Sequence, residues 1–263
     1  MDLGIEGRVA LVAASSKGLG RASAEALAAE GCDLVLCSRS AGPLEETRAA
    51  IEAASGRKVV ARPTDVADPE EVKALVELAL DTFGRIDILV TNGGGPPPGT
   101  FEDHDLAAWR DASAATLESV VGLIQGALPG MKERGWGRIL NVTSIAVKQP
   151  VDGLMLSNAL RAAVTGLGRT LANEVASLGI TVNNLMPGYT RTDRLKHLAG
   201  HIAREEGVPE EAAYARWENQ VPAGRIGEPR EFGAVVAFLA SEQAAYITGQ
   251  SIAVDGGWIR SLL

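Results

Sequence analysis

The sequence predicts an α/β fold of the doubly wound kind: a single domain with a parallel sheet of about seven strands, covered by helices on both faces. Three observations predict it. Short runs that are apolar throughout alternate with helix-period segments from one end of the chain to the other. The first of these runs leads straight into a glycine-bearing turn at which a helix opens. Glycines also stand just past successive helical runs, where a left-handed cap is wanted.

Taken in order, residues 8–14 read as the first strand and 19–30 as a helix stopped at Gly31. A strand over 33–37 precedes a helix over 44–54, which Gly56 ends. After a third strand at 58–62, Asp68 and Pro69 form an N-cap followed by a first-turn proline, starting a helix over 70–83 that Gly84 closes. The fourth strand, 86–91, runs into 93–99, where three consecutive prolines exclude helix and interior strand and leave a loop. A long helix over 106–133 leads to a strand at 138–142, and a second long helix over 155–178 ends at Gly179. The sixth strand is 180–185, the last helix 230–240 and the last strand 251–254. Between them, 193–225 breaks the rhythm. It is charged and helix-prone, and an insertion at the carboxyl end of the sheet reads as a lid over a site.

Bulk properties bound the function. Of the 263 residues, 46% are apolar, enough for a large core, and 22% are charged, as in ordinary soluble proteins. A formal net charge of −8 with scattered basic residues argues against a nucleic-acid surface. No basic stretch followed by an apolar run opens the sequence, and no long uninterrupted apolar window appears, so the expectation is a cytoplasmic protein without a membrane span. Cys32 and Cys37 fall in or beside one strand, on opposite faces, and read as two buried small apolar side chains rather than a disulfide. His104, His197 and His201 lack metal-ligand spacing and read as surface residues, so no metal site is expected.

The turn after the first strand reads Ser15-Ser16-Lys17-Gly18-Leu19-Gly20. Glycines there let the backbone turn tightly and approach a pyrophosphate, whose charge a helix N-terminus favours. Position makes the signal specific, since the loop joins the first strand to the first helix of a βαβ series. Roughly twenty residues on, a binder of NAD would place Asp or Glu against the ribose. Here Ser38 and Arg39 stand instead, and a guanidinium suits a 2′-phosphate. With Lys17 as a second cation, the pair favours NADP over NAD; the weaker alternative is that both are solvated surface charges.

On these residues the chain resembles the short-chain dehydrogenase/reductase family, especially its 3-oxoacyl-carrier-protein-reductase-like members. The resemblance covers nearly the whole sequence. It rests on the 15–20 loop, Asp65-Val66, Asn92-Gly93-Gly94, Ser144, Pro187-Gly188 and the C-terminal runs 246–250 and 254–257. It implies a Rossmann-type domain in which Asp65 and Val66 hold the adenine. Asn92, Gly93 and Gly94 would lie by the ribose, with Pro187, Gly188 and Thr190 around the nicotinamide. It implies a homotetramer or homodimer paired through the long helices and the last strand.

The departures from the family pattern are specific. The usual opening Thr-Gly reads Ala13-Ala14 here. The usual Tyr-x-x-x-Lys pair falls on Ser157 and Arg161, while Ser144 keeps the family serine and Thr116 stands at the usual asparagine. A phenol has an ordinary pKa of about 10, which a neighbouring cation lowers; an aliphatic hydroxyl is a far weaker acid. Ser157 is also too short to reach a carbonyl placed for tyrosine. Arg161, one helical turn away, could hold a ribose or a substrate acid group but does not exchange its proton. Two expectations stand side by side. In one, the protein is an NADP(H)-dependent oxidoreductase on a small carbonyl or alcohol, with Ser144, Ser157 and Arg161 in the site. Its proton comes from Tyr189, Lys148 or a bound water, although Tyr189 could be a ring packed under the lid and Lys148 a solvated loop charge. In the other, it binds the cofactor without reductase activity, as a sensor or assembly partner.

Overall fold

The computed structural model describes residues 1–262. Seven parallel strands form one sheet in the order β3-β2-β1-β4-β5-β6-β7, and the chain folds as one Rossmann-like domain around it. The strands are β1 (Val9–Val12), β2 (Asp33–Ser38), β3 (Val59–Pro63), β4 (Ile88–Thr91), β5 (Gly137–Val142), β6 (Ile180–Pro187) and β7 (Ser251–Val254). The expected alternation of strands and helices holds throughout the sheet.

Each strand splits its side chains between two cores, because successive residues point to opposite faces. Val9, Leu11 and Ala13 face a core shared with α3 (Pro69–Phe83), α5 (Ser119–Arg134) and α6 (Met155–Val175). Ala10 and Val12 face the other, shared with α1 (Gly18–Ala29), α2 (Ala41–Ser55) and α9 (Pro229–Ala240). Cys37 lies in the first core and Cys32 in the second, both as free thiols. Burial pushes each thiol up to about 12. Helix α9 lies so close on α1 that a Cβ on Gly233 would strike the Ala22 carbonyl.

Local signals explain the helix ends. Gly56, Gly84 and Gly179 take φ of 66°, 72° and 73°, closing the elements before them. The Asp68 side chain accepts from the amides of Glu70 and Glu71, with Pro69 behind it. No helix among the described residues is long and apolar enough to cross a membrane.

Two expectations need correction. The first strand ends at Val12 rather than at 14, because Ala14 takes a left-handed φ of 49° and turns the chain. The single long helix expected over 106–133 is broken into α4 (Leu106–Ser113), a π-helical turn over Ala114–Glu118 and α5. The wide turn inserts an extra residue per hydrogen-bonded ring, a distortion that hydrophobic periodicity does not reveal. The charged segment after β6 forms two helices, α7 (Asp193–Glu206) and α8 (Glu210–Gln220), with their own small apolar cluster around Leu195, Ala213 and Trp217.

Candidate active site

The strand order reverses at β1, which has β2 on one side and β4 on the other, and sheets of this kind bind ligands outside the carboxyl ends of the strands at that point. The 15–20 turn lies there. Ser15 is spent on the fold: its hydroxyl donates to the Cys37 carbonyl at 3.3 Å and accepts from the Cys37 amide at 3.2 Å. The Ser16 carbonyl accepts from Thr47 Oγ1 at 2.9 Å, which pins the turn to α2. Lys17 is the N-cap residue of α1 and makes no side-chain cap, so the opening amides of α1 at Gly18, Leu19 and Gly20 have no intrahelical acceptor. That is an anion-binding arrangement.

Gly20 is required by contact rather than by dihedral. A Cβ there would collide with the Ala14 carbonyl and come within 2.9 Å of Asn92 Nδ2. The Asn92 amide in turn donates to the Ala14 carbonyl at 3.5 Å, a long bond that links the turns after β1 and β4. Gly93 faces the Ala115 carbonyl, 3.3 Å from where its Cβ would stand, while Gly94 is exposed. At the end of β2, Ser38 donates to the Ser40 carbonyl at 3.3 Å, and Arg39 is exposed with no ion pair or hydrogen bond among the described residues. Lys17 differs from the expectation of a free second cation, since its ammonium pairs with Asp193 at 3.3 Å. Asp65 Oδ1 accepts from the Ala67 amide at 3.1 Å, its own amide donates to Glu71, and Val66 packs at the edge of the core. Pro187 ends β6 beside Val254, Gly188 abuts Asp255 too closely for a side chain, and buried Thr190 donates to the Gly188 carbonyl at 3.3 Å.

The candidate catalytic residues gather on the other side of this cleft. Ser144 follows β5, half-buried, and its hydroxyl accepts from the Ala146 amide at 3.1 Å. Ser157 and Arg161 are one turn apart on α6. Ser157 is a buried residue, and its hydroxyl makes no hydrogen bond among the described residues. Arg161 reaches to the ends of β5, where its Nη1 donates to the carbonyls of Val142 at 2.8 Å and Thr143 at 3.1 Å. Burial first, and the neighbouring Arg194 cation second, pull Arg161 down to about 10, so it stays charged at neutral pH. Arg161, Thr116, Thr91, Asn92, Gly93 and Gly94 line a recess of about 10 Å³, on the scale of one water molecule. The Thr116 hydroxyl, on the π-helical turn, is buried there with no partner among the described residues.

The proposed alternative donors separate clearly. Tyr189 stacks on Trp217 of α8 at 5.4 Å and meets Trp258 edge-on at 6.1 Å. Burial raises its pKa, which makes it a weaker acid than a free phenol. Lys148 is exposed just beyond Ser144 and forms no ion pair among the described residues. Among the histidines, His197 and His201 are exposed as expected, whereas His104 is half-buried with an unpartnered Nε2 turned to Gly99. That differs from the surface reading, because the proline loop folds back over it. No group of three or more His, Cys, Asp or Glu side chains among the described residues could hold a metal ion. Sequence reasoning missed Arg194, whose guanidinium lies against Gly95; one arginine in a charged helix carries no signal of the loop it will meet.

Known proteins match this architecture over nearly all its length. A family described as enoyl-(acyl carrier protein) reductase matches residues 13–259. The 3-oxoacyl-[acyl-carrier-protein] reductase FabG of Vibrio cholerae is 37% identical over 97% of this chain and 98% of its own. L-sorbose reductase from Gluconobacter frateurii, solved with NADPH and L-sorbose, superposes with a TM-score of 0.96 at 34% identity, covering 100% of both chains. An actinorhodin polyketide ketoreductase solved with NADPH gives a TM-score of 0.92 at 32% identity, over 97% of this chain and 98% of that one.

Proposed function

The chain belongs to the short-chain dehydrogenase/reductase family, and we infer that it is an NADP(H)-dependent oxidoreductase that reduces a carbonyl or oxidises an alcohol. The observation that carries this reading is the cradle at the switch point. Gly20 is packed onto the Ala14 carbonyl, and among the described residues the opening amides of α1 have no acceptor and Arg39, at the end of β2, has no partner. These residues fit NADP(H), and the relatives solved with NADPH support the choice. When bound, the cofactor supplies the hydride.

In this reading Gly18, Leu19 and Gly20 hold the pyrophosphate, with Ser15 and Ser16 fixing the turn. Arg39 takes the 2′-phosphate beside Ser38, and Asp65 and Val66 take the adenine. Asn92, Gly93 and Gly94 flank the ribose, and Pro187, Gly188 and Thr190 shape the nicotinamide end. Helices α7 and α8 act as the lid. Ser144 orients the substrate oxygen. Ser157 and Arg161 replace the tyrosine and lysine of the family pattern, so the proton follows another route. The Thr116 hydroxyl and the Arg161 guanidinium at the water-sized recess support a water as that route, and the aromatic packing of Tyr189 speaks against a phenol. The homodimer or homotetramer expected for the family is supported by β7, an edge strand with one free side, and by the fully exposed Tyr246 ring nearby. We place the protein in the cytoplasm with its 3-oxoacyl reductase relatives.

A second reading, cofactor binding without turnover, is favoured by one observation: Ser157 is a buried residue whose hydroxyl makes no hydrogen bond among the described residues, so nothing activates it as an acid. Titrating NADPH fluorescence and then following NADPH oxidation over a panel of carbonyls separates the two. Tight NADPH binding with turnover supports the oxidoreductase, binding alone supports the silent protein, and no binding removes both.

A further inference from the structure

We propose that Arg161 and Arg194 form a carboxylate subsite, so that the substrate is an oxo acid with a free acid group rather than a neutral carbonyl or thioester. The proposal rests on the oxidoreductase reading and names the substrate class for the same cleft.

The two arginines come from opposite sides of that cleft. Arg161, on α6, lines the recess together with Gly93 and Gly94. Arg194, on the lid helix α7, lays its guanidinium on Gly95, the next residue of the same loop; a Cβ at Gly95 would overlap it. The loop glycines therefore admit the lid arginine to the mouth of the site. After burial, the Arg194 charge is the second cause that lowers Arg161, so the two cations lie within electrostatic reach of one another.

Neither charge is compensated. The protein has 33 acidic residues against 25 basic ones, yet no carboxylate pairs with either arginine among the described residues. Asp193, the acid next to Arg194, is engaged with Lys17, and Arg191 pairs with Glu228 at 3.1 Å. Arg161 donates through Nη1 alone to two carbonyls, which leaves the rest of its guanidinium to donate elsewhere. Arg161 is half-buried and Arg194 exposed at the mouth, and a half-buried cation beside a like charge without a counter-ion is unfavourable until an anion arrives. Two forked donors answer a planar carboxylate, which accepts from both. A phosphate of the cofactor has the same charge, and the experiment separates the two sources.

The test uses the NADP⁺-loaded protein, in which an oxo acid cannot be reduced, and compares acetoacetate with methyl acetoacetate by calorimetry. The expected result is a preference of roughly tenfold or more for the acid. It should disappear in Arg194→Met while NADP⁺ affinity stays unchanged. Arg161→Lys, which keeps the charge and loses the fork, should reduce the preference. Equal binding of acid and ester, or a preference that survives Arg194→Met, overturns the proposal. So does a loss of NADP⁺ affinity in Arg194→Met, which would assign the pair to the cofactor. If the wild-type protein takes up no NADP⁺, the oxidoreductase reading fails. The same acid–ester comparison on the apo protein then still decides the subsite by itself.

Discussion

The Lys17 ammonium lies 3.3 Å from the Asp193 carboxylate, joining the turn after β1 to the first residue of α7. Both side chains are exposed, so the pair itself adds little stability. Its consequence is for the cofactor: Lys17 has a partner, whereas Arg39 at the end of β2 has none among the described residues.

Arg39→Ala should therefore weaken NADPH binding by about 10- to 100-fold, the loss of a charge-assisted bond, and leave NADH affinity unchanged. Lys17→Ala should have a smaller effect. Parallel fluorescence titrations of both nucleotides check this, and equal losses for NADPH and NADH would assign Arg39 no part in reading the phosphate.

Ala14 offers a test of stability. Its φ of 49° places a Cβ in the left-handed region, at the turn where the family pattern has glycine. Ala14→Gly should stabilise the fold by about 1 kcal/mol and raise the melting temperature by about 2–4 °C. Thermal unfolding followed by circular dichroism measures it.

Thr116→Val separates structure from chemistry. Removing a buried hydroxyl with no partner should leave stability unchanged or raise it by up to about 1 kcal/mol. If the recess delivers the proton, kcat should fall by about 100-fold or more, with KM little altered. A variant that keeps full kcat would exclude the Thr116 recess from the proton route.

The thiols give the pH dependence. Cys32 and Cys37 are raised from the ordinary 9.0 to about 12 in the folded state, chiefly by burial. Their contribution to stability is fully present below about 9 and is lost as pH rises through about 12, because only the unfolded chain gives up these protons in that window. Urea unfolding across this range should show the decline. An aromatic disulfide reagent should label both thiols quickly in urea and slowly in the native protein.

Much of this was legible in the sequence, for identifiable reasons. Apolar runs and glycine caps are local, so strands and helix ends such as those at Gly56 and Gly84 fall where periodicity and capping place them. The cradle was legible too, because the residues around Gly20 are adjacent in the chain. What the sequence concealed depends on contacts between distant segments. The π-helical turn at Thr116 keeps helical composition, so the break in the long helix leaves no pattern. Arg194 meets Gly95 from 99 positions away, and Asp193 captures Lys17 over a still longer span. Tyr189 kept two roles open until the positions of Trp217 and Trp258 fixed it in an aromatic stack.

The central claim is that this cleft transfers a hydride with Ser157 and Arg161, on the proposed reading, in the places of the family's tyrosine and lysine. The most direct measurement supplies NADPH deuterated at the reactive nicotinamide carbon, with a panel of oxo acids and neutral carbonyls, and reads the products by mass spectrometry. The account predicts deuterium on the carbinol carbon of at least one product, accumulating in step with NADPH loss. Saturable NADPH binding with no deuterium in any product would contradict it.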